Sequence, residues 1–539
     1  MKKILAFVLT LALVLSLVGC STESAPAAES TQANTSSSGE QSSQAAAPSS
    51  SGGEQQATEG KAKKDTLIIA QAADITSTDP LRAVNTYSIS VNRHVYDYLI
   101  NLNEDGTYSP MLAESWSLVN PNLVELKLRQ DVTFHNGEHM TSEDVVYSLS
   151  RARDLPLSLI QGMFGEITAV DDYTVHVELL QTFGAIELLF CRTGTQIVCK
   201  SAMEADYDNF VQNAPIGTGP YKFVSWSKGD SIVLEGFDDY WGGAPNTKNL
   251  IIRVIAEPSQ RLIALENGEI DIAYDIGPND VAKIQENPEL AIVIGPSSRC
   301  VILSTNYADA NSPIANNLVL QAMQYAIDKQ LIVDAVGYGH GIVAHTLIPS
   351  FAFGSTESIQ TEYNPEKAKE LLAQAGYPNG FEVELSTYSD QLYTEIASVL
   401  QSQLAEVGIT LNIQVSDQAT LLEYCADKSH GLVLKFWMTV ADAHNTFQPY
   451  YFSTSSPSHG NSAFYQNPEF DKWVTVESNS ADSEVRKQAF EELHKIAAED
   501  LPYIPIYFTP MLVGHSADTE GFVPDPYGYH RLNYITVYE

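Results

Sequence analysis

Residues 128–148 read LRQDVTFHNGEHMTSEDVVYS. Leu128 closes the run Leu123–Leu128, in which apolar and charged residues alternate as they do in a strand buried on one face. Phe134-His135-Asn136-Gly137 then reads as a turn, because Asn-Gly supplies positive φ cheaply. His135 is accordingly expected to be a satisfied turn histidine rather than a ligand. Working outward, Thr174–Leu179 alternates in the same way, Thr66–Ala70 reads as an opening strand and Asn249–Ala256 is rich in β-formers. The stretch 364–415 adds helices. Asn364 suits an N-cap, Pro365 the first helical position and Glu366 the helix dipole. Ala368, Leu371, Leu372 and Ala375 supply an apolar face, and Gly376 a left-handed cap. A second helix is predicted from about Thr394 to Val407, closing at Gly408, before Ile409, Leu411, Ile413 and Val415 alternate as a strand. The fold class is therefore α/β (α+β mixed), with sheets covered by helices.

The chain has 539 residues, and single cores stop growing near ~250–300 residues, so at least two lobes are expected. Lys and Arg total 30 against 67 Asp and Glu, a formal charge of −37. Nucleic acid is excluded as a partner, because phosphate neutralisation needs a basic stripe and only Lys61-Ala-Lys63-Lys64 comes near one. Five cysteines without a C-x-x-C pair argue against a disulfide scaffold or a thiolate metal site. Cys191 and Cys199 could bridge a hairpin, and two buried free thiols is the plainer reading.

Residues 1–20 read MKKILAFVLTLALVLSLVGC: a basic start, a short apolar run, then Leu17-Val18-Gly19-Cys20. The run is too short to span a bilayer and reads as a secretory signal over 1–19. Its end resembles a bacterial lipobox, which implies diacylglycerol on the Cys20 thiol. Residues 21–60 contain 11 Ser and 8 Ala with no aromatic, Leu, Ile or Val. Such a segment cannot offset its ordering entropy, so 20–64 is expected to be a disordered tether spanning ~35 Å.

The body carries ordered motifs: Asp79-Pro80, Val95-Tyr-Asp97-Tyr-Leu99, Pro110–Trp116, the 128–148 block, Gly217-Thr-Gly219-Pro-Tyr221, Tyr240-Trp241, Gly268–Asp271, Ala326–Lys329, Asn467–Asp471 and Leu501–Tyr507. Together they resemble the extracytoplasmic solute-binding proteins of ABC importers, family 5, the oligopeptide, dipeptide and nickel-binding type. The resemblance implies a two-lobed periplasmic-binding-protein-like fold with a two-strand hinge. It places the first lobe at 65–305 with 500–539, including a subdomain near 110–200, and the second at 306–499. It also implies capture of short peptides by hinge closure and delivery to ABC permease subunits, by a monomer tethered through its lipid to the outer face of the cell membrane or in the periplasm. No cofactor is expected.

The same resemblance assigns the binding residues. In relatives an Asp after a Trp-containing strand pairs with the peptide ammonium, a place held here by Asp442, with Trp437 and Thr439 beside it. Asn85, Thr86 and Tyr87 are expected to pair with an extended peptide through their main chain, and Tyr388 and Tyr393 to line side-chain pockets. The aromatic usual three residues before the Asp is Thr439, and the Asp-Pro usual after it is absent, so the ligand's type stays open: a nickel chelate, haem, opine or sugar are alternatives, as is a peptide-sensing role. His430, His444 and His459 around Asp442, with His340 and His345 elsewhere, hint at a metal, but no H-x-x-x-H lies on a clear helix: His135 and His139 have that spacing within the turn signature. No G-x-S-x-G, H-E-x-x-H or P-loop points to an enzyme.

Overall fold

The computed structural model describes residues 61–539 except 84, 156–159, 161 and 458–459. The signal segment, Cys20, the tether to residue 60 and His459 lie outside the described residues. Residues 61–64 correct the expected end of the tether. Lys64 N donates to Val537 O at 2.8 Å, Glu539 N donates to Ala62 O at 2.9 Å, and Lys64 Nζ reaches Asp271 at 3.1 Å. A polar segment without a core of its own is ordered here by the ladder partners that the chain end offers.

Two large sheets organise the body. The first has seven strands in the spatial order Leu290–Gly295, Met511–Ser516, Ile272–Ala273, Thr66–Gln71, Asn249–Val254, Ser231–Gly236 and Tyr221–Ser227. The second has six, in the order Ile342–Val343, Tyr503–Phe508, Arg299–Ser304, Leu432–Met438, Phe381–Tyr388 and Ile409–Ser416. A four-stranded antiparallel sheet, Ala113–Asn120, Leu123–Leu128, Thr174–Leu179 and Phe164–Asp171, carries its own apolar core around Val124, Leu126, Val175 and Phe190.

The chain passes between the two large sheets twice, at 296–298 and at 509–510. The passages touch: Thr509 N donates to Arg299 O at 3.0 Å. Residues 299–304 and 503–508, assigned from the sequence to the first lobe, are strands of the six-stranded sheet. Both are apolar runs that would suit either core, and only the hydrogen-bonded ladder decides which sheet takes them.

The helix predicted at Asn364 runs over Pro365–Gln374, with the Asn364 side chain accepting from Lys367 N at 3.0 Å and Gly376 at φ 93°. The second runs over Gln391–Glu406, three residues longer at its start because Asp390 caps it. The strands around it, Phe381–Tyr388 and Ile409–Ser416, pair in parallel, as a strand–helix–strand crossover requires.

The signature motifs prove to be joints. Gly137 stands at φ 86° in the turn after Phe134, and Thr141 caps the helix Ser142–Asp154 in a capping box with Asp144. His135 Nδ1 accepts from Gly217 N at 3.4 Å, and its Nε2 donates to Gly219 O at 2.9 Å. The turn histidine is thus satisfied, and burial lowers its pKa to about 4. Asp97, fully buried, accepts from Trp241 Nε1 at 2.8 Å and Thr218 Oγ1 at 3.1 Å, so three motifs meet on one carboxylate. Burial raises its pKa to about 6 against those bonds. Cys191 and Cys199 are free thiols.

Candidate functional site

A cavity of about 460 Å³ opens where the two sheets meet. Its floor is the pair of passages, through Ser297, Arg299, Thr509 and Pro510. One wall comes from the seven-stranded side, through Asn85, Thr86, Tyr87, Tyr274 and Asp275. The other comes from Phe436 and Met438, at the end of the strand Leu432–Met438. A second cavity of about 340 Å³ shares Met438 and lies between 163–193, beside the four-stranded sheet, and 437–449.

Asp275 is the exposed carboxylate of the first cavity. It follows the two-residue strand Ile272–Ala273 and sits at φ 51°, a strained region for a non-glycine residue. Arg261 holds it there. That buried guanidinium donates to the carbonyls of Tyr274 and Asp275, at 2.8 and 2.7 Å, and to those of Ile255 and Ala256. Its four hydrogen bonds all go to backbone carbonyls, so it lends the turn rigidity and positive charge. Tyr87 Oη donates to Asp275 Oδ2 at 2.8 Å, and burial, then Asp275, raise its pKa, so it stays a phenol.

Arg299 faces these groups from the floor. Its guanidinium lies 4.6 Å from the centre of the Phe436 ring, and among the described residues it has no carboxylate within ion-pair distance. Burial pulls its pKa down, but Tyr393, Asp275 and Tyr87 together more than offset this. The cavity therefore offers an acceptor for an ammonium and a donor fork for a carboxylate, and the two are not paired with each other.

Asn85, Thr86 and Tyr87 border this cavity, but not as an extended strand. Asn85 caps the helix Thr86–Val95, its side chain accepting from Ser88 N at 2.7 Å. Strand addition along 85–87 is thereby corrected: helical residues turn their main chain along the helix axis, and the segment presents the positive end of a helix instead.

Asp442 is the principal correction. It is 2% exposed and gripped by Arg486, whose two terminal nitrogens reach its oxygens at 2.8 and 2.9 Å. Arg486 also donates to Glu477 at 3.2 Å, and Glu477 pairs with His444 Nδ1 at 2.5 Å. His444 and Arg486 hold the pKa of Glu477 below the usual range against its burial. Asp442 is thus part of a buried charge network beneath the cleft, not a free anchor. Its partner stands 44 residues away on the helix Ser483–Asp500, which motif spacing does not reveal.

Thr439 is buried, donating to Leu347 O at 3.2 Å and sharing a hydrogen bond with Thr446. Trp437 borders the second cavity, with its indole nitrogen donating to Thr446 at 2.8 Å. Tyr388 and Tyr393 line neither cavity. Their rings stand 4.9 Å apart and back the Phe436 ring at 6.0 and 6.3 Å, so they stiffen the wall from behind. The resemblance placed them at pocket-lining positions; the strand end and helix start that carry them turn their rings towards each other and Phe436.

Sequence reasoning missed Asp275, Arg299, Phe436 and Met438. The signal for Arg299 was present: an arginine heading the otherwise apolar run Cys300–Leu303. Asp275 followed the Gly268–Asp271 motif by four residues. Among the described residues no group of three or more His, Cys, Asp or Glu side chains could hold a metal ion, and no helix is long and apolar enough to cross a membrane.

A cavity of ligand size at the crossing of two sheets suits a solute-binding protein, and comparison with known proteins shows that class. The family model of bacterial extracellular solute-binding proteins, family 5, matches residues 107–458, and the chain belongs to this family. It is 28% identical over 482 residues to the glutathione-binding protein GsiB of Salmonella typhi, covering 86% of this chain and 93% of that one. Among solved structures it is similar to the ABC transporter-associated periplasmic binding protein DppA from Helicobacter pylori in complex with the peptide STSA. That match has 25% identity and a TM-score of 0.77, covering 88% of this chain and 99% of the other. It is also similar to AgaA from A. tumefacien R10 in complex with agropinic acid, at 25% identity and a TM-score of 0.75, with coverage of 88% and 99%. The fold is that of the two-lobed periplasmic binding proteins, and the family is extracytoplasmic.

Proposed function

We propose that this protein captures short peptides between its lobes and delivers them to the permease of an ABC importer, with no chemical conversion. One observation carries the reading: Asp275 and Arg299 share a cavity at the crossing, the first suited to a peptide ammonium and the second to a carboxylate. The peptide-bound DppA neighbour and the glutathione-binding relative support it. The lobes divide at 296–298 and 509–510, with the four-stranded sheet as a subdomain of the first. A ligand on Asp275, Arg299 and the Phe436–Met438 wall touches both lobes, so it stabilises the closed state by its differential affinity for that state. The protein works as a monomer, held to the outer face of the membrane by lipid on Cys20.

Calorimetry of the full chain with trialanine tests this. Binding is expected, and Asp275→Asn should weaken it roughly tenfold to a hundredfold, the worth of one charge-assisted hydrogen bond. N-acetyl-trialanine should bind wild type and variant alike. A protein that ignores trialanine and mixed short peptides, yet binds an opine, would overturn the peptide reading and leave the binding-protein fold standing.

A further inference from the structure

The second cavity contains a cation with no role in holding the peptide described above. Arg192 follows the short helix Leu188–Cys191 and lines this cavity half-buried. Among the described residues its side chain has neither a hydrogen-bond partner nor a carboxylate within ion-pair distance. The other charged groups there are committed. Arg93 is held by Asp525 at 3.4 Å and by the Tyr529 carbonyl at 3.3 Å, and His444 by Glu477. The walls around Arg192 are largely apolar, with Tyr98, Leu102, Met163, Leu188 and Pro449 among them. Burial lowers the Arg192 pKa, with Cys191 and Tyr108 opposing.

An unpaired guanidinium in such a wall is costly to hold. It is also unexpected in a chain with 67 acidic residues to 30 basic ones, where a carboxylate partner is easily found. A ligand carboxylate is the partner the site lacks. Counted over both cavities, the charged groups without an ion-pair partner among the described residues are Arg299, Arg192 and Asp275, and Arg261 adds its charge behind Asp275. Met438 borders both cavities, so the two adjoin at this side chain.

We propose that the cleft selects short acidic peptides bearing one ammonium and two carboxylates, with the second carboxylate bound by Arg192 in the second cavity. This rests on the peptide reading above and adds a charge preference to it.

The test is calorimetry of the full chain with Glu-Ala-Ala, Ala-Glu-Ala and Ala-Ala-Glu, each against its Gln counterpart. At least one Glu peptide should bind roughly tenfold or more tighter than its Gln isostere, the gain from one charge-assisted bond in a partly dry site. Arg192→Gln should abolish that ratio while leaving the Gln peptide's affinity within about twofold, which also reports that the variant is folded. Equal binding of every Glu and Gln pair, or a ratio that survives in Arg192→Gln, overturns this inference alone. Failure of all six peptides to bind overturns the peptide reading and this inference with it.

Discussion

At the scale of single residues, the contrast between Asp442 and Asp275 shows how environment assigns a role. Both are aspartates close to the crossing of the sheets. Asp442 sits under the surface with Arg486 across both its oxygens, so its charge is already answered. Asp275 is exposed on a strained turn that Arg261 holds rigid through backbone carbonyls, and with only the Tyr87 phenol on one oxygen its charge is not answered by a cation. Removing one member of a buried pair leaves the other desolvated and alone. Asp442→Ala should therefore cost about 3 kcal/mol of stability, tempered by the Glu477 contact that Arg486 keeps. Urea denaturation reads this directly; an unshifted midpoint would show that the pair contributes nothing. Any loss of affinity in that variant should fall equally on trialanine and on its N-acetylated form, because Asp442 does not meet the ammonium.

At the scale of elements, the motifs that suggested the family are joints between segments far apart in sequence. Gly217 passes so close to the end of the helix Thr86–Val95 that a Cβ there would lie 2.0 Å from the Val95 carbonyl oxygen and 2.6 Å from the Tyr96 ring. Gly137 needs its positive φ, but a Cβ would meet nothing within 4 Å. Gly217→Ala should cost about 2–3 kcal/mol through forced backbone movement, and Gly137→Ala about 1 kcal/mol through left-handed strain alone. Denaturation midpoints of the two variants give the order, and a reversed order would refute the close-approach account of Gly217. Elements governed by local rules are legible in the order of residues alone. The helix capped by Asn364 and the alternating strands 123–128 and 174–179 stand where spacing puts them. The helix that Asp390 caps begins three residues earlier than its apolar period suggests, since helix ends are set by the cap that forms.

For the whole molecule, buried ionisable groups set the response to pH. Burial lowers the pKa of His94, His135, His494 and His530 to about 4 each. An unfolded histidine titrates near ~6.5, so between that value and about 4 the unfolded chain binds more protons than the folded one. Each histidine then withdraws stability as pH falls through this window, by up to about 3 kcal/mol when the window is crossed. Asp97 acts in the opposite sense. Its pKa is raised to about 6, so the folded state gains a proton first and gains stability as pH falls. Four groups outweigh one, and the fold should be less stable at pH 4.5 than at pH 7. Thermal melts in high salt, which screens the repulsion of a chain at −37, check this. A melting temperature that holds or rises on acidification would mean that these histidines are hydrated in solution.

Residue order was enough to establish the class of fold, the family and the local elements, because alternation, caps and turn residues act over a few positions and hydrophobic pattern chooses between strand and helix. It was enough, too, to assign His135 to a turn. Packing in three dimensions was needed to settle which sheet takes the strands at 299–304 and 503–508, that Asp442 is spent on Arg486, that 85–87 begins a helix, and that Tyr388 and Tyr393 stand behind the wall. Packing alone placed Asp275, Arg299 and Arg192 in the cleft. The reason is range: whether a charge is free depends on partners tens or hundreds of residues away, and the order of residues does not carry that distance.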